Sequence, residues 1–202
     1  MSLLEILVKG GYMIIPIGIA SLFGITIIIE RFIYYRRTRT PEDVIEKCKI
    51  KLKDGDAQSV LAICSRTDTP ITRIISAGLG AEEGKEKTME TVARKELLGF
   101  ERYLTGLATV AGVAPLLGFL GTVTGMIKAF MQVERLGGNV NASVLAGGVW
   151  EALVTTAVGL GVGIITYIFY NYFLGRVQSI KEGIETTADE IAGLVVNNTE
   201  VV

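Results

Sequence analysis

Three stretches of this 202-residue chain hold no charged residue: 10–29, 103–127 and 152–175. They are 20, 25 and 24 residues long. A helix rises ~1.5 Å per residue, so about 20 apolar residues cross a ~30 Å hydrocarbon core. In lipid every backbone polar group needs an internal partner, and for runs of this length the helix provides it. The expected fold is an all-α membrane protein with three transmembrane helices. The first run has no basic segment before it and ends at Glu30-Arg31 rather than at a small-residue cleavage site. It reads as a retained helix, not a signal peptide.

The rest of the composition excludes several function classes. A formal net charge of −1 offers no field for nucleic acid. With no His, and with only Cys48 and Cys64, the chain lacks His triads, His metal sites and a four-Cys zinc site. No metal or cofactor is expected, and an enzyme is not expected either. The 24 glycines against 4 prolines fit closely packed membrane helices better than linkers.

Lys and Arg set the expected orientation. Of the 20 basic residues, 15 lie between Arg31 and Arg102. The expected order is an outside N-terminus (1–9), a first transmembrane helix (10–35) and a cytoplasmic helical region (36–102). A second transmembrane helix (103–133), an outside turn (134–148), a third (149–175) and a cytoplasmic C-terminal helix (176–202) follow. In the cytoplasmic region Val44, Ile45, Leu52, Val60, Leu61 and Ile63 fit short amphipathic helices, broken at Asp54-Gly55-Asp56 and Thr69-Pro70. The pattern of Met89, Val92, Phe100 and Tyr103 runs into the second span without a breaker. Beyond the third span Val177, Ile180, Ile184, Ala188, Ile191 and Val195 continue a helical stripe. Helices two and three are therefore expected to extend into the cytoplasmic helical region. Cys48 and Cys64 read as packing residues. Lys128 is expected to snorkel towards headgroups, Glu30 and Arg31 to lie at an interface, and Tyr12, Tyr34, Tyr35, Tyr103, Tyr172 and Trp150 to form aromatic belts.

The second span carries Ala108, Ala111, Pro115, Gly118, Thr122, Gly125 and Ala129 at alternating steps of three and four. That spacing puts them on one helix face. The third span repeats it with Ala152, Thr156, Gly159, Gly163 and Thr166, and Gly121 adds a further small residue four before Gly125. Two readings stand. One is close helix–helix packing, since apolar helices in lipid associate by backbone approach. The other is that the faces line a passage shared by several subunits, with Thr122 and Thr156 at similar depth on antiparallel helices.

Glu151 is the only charge between Gly137 and Gly175. A carboxylate at bilayer depth costs at least ~2.5 kcal/mol, so such a residue is a functional candidate. If the helix begins near Ala152, Glu151 instead sits at a solvated helix start, where the dipole favours it. It shares a face with Thr155 rather than Thr156.

The stretch 109–130, TVAGVAPLLGFLGTVTGMIKAF, resembles the aPllGllGTVxGmixaF signature of the MotA/TolQ/ExbB proton channel family. The stretch 148–171, GVWEALVTTAVGLGVGIITYIFYN, resembles its partner pattern, giaEALxtTaxGLxvaipayxxyN. Three spans are similar to the ExbB and TolQ branches, whereas the flagellar MotA branch has four. The resemblance implies a ring-shaped homopentamer in the bacterial inner membrane. Its pore would hold the single-span helices of an ExbD-like or TolR-like partner, whose aspartate takes up and releases the ion. It implies H+ or Na+ as the transported ion and a TonB-like or outer-membrane-linked protein as the recipient of work. Carried over by motif, Thr122 and Thr156 match pore-lining threonines and Glu151 the buried glutamate. Thr155 departs from the Ala of many members, and its extra hydroxyl bears on ion choice. The expected role is a motor stator for energised import. The alternatives are TolQ-like envelope maintenance and a structural adaptor without ion flux.

Overall fold

The computed structural model describes residues 11–135 and 142–197, without the side chains of 142–144 and 195–197. The expected outside N-terminus (1–9), most of the centre of the expected 134–148 turn, and residues 198–202 lie outside the described residues. Within them every regular element is an α-helix. Helix α1 spans Ile14–Arg37, α2 Glu42–Lys53, α3 Ala57–Arg66 and α4 Pro70–Gly80. Helix α5 spans Lys85–Glu101, α6 Leu104–Arg135 and α7 Ala142–Asn197. Three stretches are long and apolar enough to cross a membrane, within Ile14–Lys53, Lys85–Arg135 and Leu145–Leu194. The chain is a multi-pass membrane protein by that measure.

The residues divide into two compact units, 1–30 with 103–173, and 31–102 with 174–202. In the first unit large apolar residues such as Ile17, Leu107 and Phe173 are buried, but from Ala114 to Phe130 of α6 small residues lie inside and large apolar ones outside. Gly118, Gly121, Gly125, Ala114 and Ala129 are buried on α6, whereas Leu116, Phe119 and Phe130 are largely exposed. That inversion of the soluble pattern is what a lipid solvent permits, because it gives no hydrophobic drive between helices. On α1, Gly24 meets Val110 and Thr166, and Gly106 of α6 meets Phe23 and Ile27. Thr166 is buried and bonds back to the Val162 carbonyl.

The second unit follows the ordinary rule. Its core holds Leu52, Val60, Ile74, Ile75, Met89, Phe100, Val177, Ile184 and Ile191. Val177, Ile184 and Ile191 of the expected stripe on α7 thus supply one wall, Ile180 and Ala188 are half-buried, and the Val195 side chain lies outside the described residues. The expected breaks are helix junctions. Gly55 takes a left-handed φ of +74°, and Asp56 caps α3 by accepting from Ser59 N–H at 3.1 Å. Thr69 precedes Pro70 at the start of α4, and the Thr72 hydroxyl accepts from Thr69 N–H at 3.0 Å. Arg73 forks onto Glu96 at 2.9 and 2.8 Å and also reaches Asp68. These bonds hold the Arg73 guanidinium above its ordinary pKa, with the Glu96 hydrogen bond as the chief cause. Cys48 and Cys64 are both buried and hydrogen-bond to each other across α2 and α3. That bond, with burial, raises the Cys64 thiol.

Several expectations are corrected. The chain does not run unbroken from the Met89 segment into the second span. Helix α5 ends at Glu101, Arg102 is extended, and Tyr103 adopts a left-handed φ of +67°. Arg31 is not interfacial but 2% exposed, donating to the carbonyls of Gly99 at 2.9 Å and Phe100 at 3.4 Å. Tyr35 is not in an aromatic belt: it is buried, and its hydroxyl donates to the same Phe100 carbonyl at 2.8 Å. These are last-turn carbonyls of α5, which have no partner inside their own helix. Tyr34, Tyr35 and Phe100 form one ring cluster, with the Arg31 guanidinium 4.4 Å from the Tyr34 ring centre.

Thr72→Val removes the hydroxyl that joins Thr69, Thr67 and the start of α4, while keeping the side-chain volume. We expect a loss of about 1–2 kcal/mol, seen as a lower thermal midpoint of helical circular dichroism in detergent. An unchanged midpoint would show that the junction contributes nothing.

Candidate ion-coupling site

The site is built on the contact between α6 and α7. A Cβ placed on Gly118 would stand 3.2 Å from Gly159 Cα, the Thr155 carbonyl oxygen and Thr156 Cα. One on Gly159 would stand 2.7 Å from the Ala114 carbonyl oxygen and 2.8 Å from Gly118 Cα. The backbones touch there, and only glycine permits it. From this point the pairing runs in both directions. Gly121 meets Thr155, Gly125 meets Ala152 and Gly148 meets Ala129 one way, and Gly163 meets Pro115 the other. Each step up one helix matches a step down the other, so the helices are antiparallel. The seam residues Gly118, Gly121, Gly125, Gly159 and Gly163 are therefore used in packing within one chain. Ala111 contributes its carbonyl against Gly163. The sequence pattern did not single out Gly148 or Ala114, although Gly148 lies four residues before Ala152 and extends the third-span series.

This pairing positions the hydroxyls. The Thr156 hydroxyl donates across the seam to the Gly118 carbonyl at 2.9 Å. The Thr155 hydroxyl is buried and donates to its own helix at Glu151 O, 2.8 Å. Thr122 follows Gly121, which faces Thr155, so Thr122 lies at the level of Thr155 and Thr156. Its hydroxyl donates to Phe119 O at 2.6 Å, and it stands at the head of an open apolar face with Val123, Met126, Ile127 and Phe130. The structure thus brings Thr155 and Thr156 together in the seam and leaves Thr122 on the outer side of α6.

Glu151 lies nine residues inside α7, which begins at Ala142. The alternative of a helix start beside Glu151 is thereby removed. Its Oε1 accepts from Lys128 Nζ at 3.0 Å. Lys128 does not act as a free snorkelling group: its ammonium is held by this pair and lies 4.4 Å from the Tyr12 ring centre. Gly11, with φ +69°, leaves room for the Glu151 carboxylate where a side chain would otherwise stand. Sequence spacing cannot pair residues 23 apart on two helices. The only signal was that Lys128 and Glu151 are isolated charges near the same ends of antiparallel spans. No group of three or more Cys, Asp or Glu side chains suited to a metal occurs among the described residues.

The profile of the MotA/TolQ/ExbB proton channel family matches residues 66–186. The chain belongs to that family. The match covers both seams and Glu151, and the family is one of proton channels, not of enzymes. The chain is 33% identical over 172 residues to an ExbB-like biopolymer transport protein of a Synechocystis strain, covering 81% of each chain. It is 31% identical over 191 residues to an ExbB homologue of Methanothermobacter thermautotrophicus, covering 91% of this chain and 67% of that one. It is 34% identical over 113 residues to the Tol-Pal system protein TolQ of Haemophilus influenzae, covering 56% of this chain and 49% of that one. This family member is therefore a stator-like membrane protein of the ExbB/TolQ kind.

Two glycines separated by one residue give the seam a sharp test. A Cβ at Gly159 collides with backbone, whereas one at Gly161 meets nothing within 4 Å. Gly159→Ala should lower stability by about 1–3 kcal/mol, because rigid backbone cannot yield. Gly161→Ala should be neutral or gain up to about 0.5–1 kcal/mol through helix propensity. Thermal melts of the two variants in the same detergent read the contrast, and equal shifts would contradict the packing.

Proposed function

We propose that the chain is the pore-forming stator subunit of an inner-membrane motor driven by ion-motive force. Copies assemble as a homopentamer, with the N-terminus and the 134–148 turn outside and residues 36–102 and 176–202 in the cytoplasm. A single-span ExbD/TolR-like partner occupies the central passage. Cation flow, H+ or Na+, moves the partner helix against the wall, and the work passes through a TonB-like or outer-membrane-linked protein to energised import. One charge crossing 100 mV releases ~2.3 kcal/mol, so several ions support a mechanical step.

The observation that carries this reading is the concentration of polar groups at one level of two apolar helices. Thr122, Thr155, Thr156 and Glu151 lie within about a turn and a half of one another by helix geometry. Apart from Lys128, which pairs with Glu151, the side chains that flank them on the two helices are mostly apolar or glycine. Groups so costly to insert are retained where they face an ion route. The open apolar face below Thr122 suits cover by a neighbouring copy or by the partner helix. The seam residues Ala111, Pro115, Gly118, Gly121, Gly125, Gly159 and Gly163 hold the wall in shape without touching the ion. The longer matches are to ExbB-type proteins, which favours an import role over TolQ-like envelope maintenance.

The test is flux in liposomes holding this chain and its cognate single-span subunit. With an imposed gradient, the wild-type complex should admit the coupling cation. Thr156→Val and Glu151→Gln should fall to the level of empty liposomes while the complex still assembles. Full flux in both variants would contradict the assignment. A tight wild-type complex would favour the structural adaptor.

A further inference from the structure

The Lys128–Glu151 pair goes beyond that reading while resting on it. We propose that Lys128 is a specificity-determining residue: its tethered ammonium fills the cation position at Glu151 and shuts sodium out of the route.

Glu151 is the one carboxylate at this level of the two helices. Lys128 Nζ stands 3.0 Å from its Oε1, the place from which a bare metal cation would bind. A second positive charge there meets direct repulsion, which apolar surroundings leave poorly screened. Among the described residues, the groups against this pair do not complete a coordination shell. Tyr12 presents its ring to the ammonium, and Gly11 closes against the carboxylate. The Thr155 hydroxyl donates to Glu151 O and the Thr156 hydroxyl to Gly118 O. Alkali cations need several oxygens at once to replace their water. A proton needs a single lone pair, and it can move along hydrogen bonds. The second carboxylate oxygen of Glu151 makes no hydrogen bond among the described residues. With the ammonium at Oε1, the arrangement therefore favours a proton over sodium.

The lysine also reaches further than its own helix. It links α6, α7 and the segment leading into α1 through Glu151 and Tyr12. A purely structural role would stabilise that link without regard to which ion crosses. Ion selectivity is the readout that separates the two.

The experiment uses liposomes holding the chain with its cognate single-span subunit, an internal pH dye and external radioactive sodium. Wild type should pass protons and remain tight to sodium. Lys128→Met should raise the sodium-to-proton flux ratio at least about tenfold, since it removes a unit charge beside the carboxylate. Lys128→Arg, which keeps the charge, should stay tight to sodium. Should Lys128→Met not accumulate, Lys128→Gln serves the same arm. Sodium flux through wild type equal to its proton flux would overturn the lysine's role while leaving the channel reading in place. A sodium-tight Lys128→Met complex that still passes protons would do the same. Silence towards both ions in every protein would overturn the channel reading and this assignment together.

Discussion

The contact of two backbones, at Gly118 on α6 and Gly159 on α7, fixes the rest of the first unit. Large side chains cannot draw these helices together in lipid, because lipid tails solvate them equally well. Removing side chains lets the helices approach until carbonyls and Cα atoms touch. That approach brings the Thr156 hydroxyl within 2.9 Å of the Gly118 carbonyl, a bond that a wider spacing would forbid. It also brings Lys128 and Glu151 to 3.0 Å from opposite helices. The polar groups of the candidate site are thus placed by the absence of bulk elsewhere on the same two faces.

One chain obeys two solvents. From Ala114 to Phe130 of α6 glycine and alanine are buried while Leu116, Phe119, Leu120 and Phe130 face out. In the second unit isoleucine, methionine and phenylalanine are buried, and apart from the buried Arg31 its charges lie nearer the surface, in pairs such as Arg73–Glu96 and Lys49–Glu190. The switch occurs inside continuous helices, since α7 contributes residues to both units. Its small-residue series ends with Thr166, and its stripe of large apolar residues begins at Val177.

The spans and the two seams were legible because charge-free length and three-four spacing each leave a periodic trace. The junctions at Gly55 and Thr69-Pro70 were legible through turn chemistry. Tyr103 was not: tyrosine carries no turn signal, and a left-handed φ in a residue with a Cβ is set by tertiary context. The start of α7 was ambiguous, since residues 142–150 are small or apolar without a break, and the reading of Glu151 depended on it. Arg31 looked interfacial because a charge beside an apolar run usually is. Its burial follows from the free carbonyls at the end of α5, which only the fold brings to it. Lys128 was seen as an isolated cation, and its partner is 23 residues away on another helix.

The most direct test of the central claim is a cross-link across the seam. A Cβ on Gly125 would stand 3.0 Å from Ala152 Cβ, close enough for a disulfide with a small outward shift. In a chain with Cys48 and Cys64 replaced by alanine, Gly125→Cys with Ala152→Cys should form an intramolecular bond on mild oxidation. Val123→Cys with Leu153→Cys, both on outward faces, should not. Cross-linking of the second pair but not the first would mean that α6 and α7 meet through other faces, and the placement of Thr156 and Glu151 would fall with it.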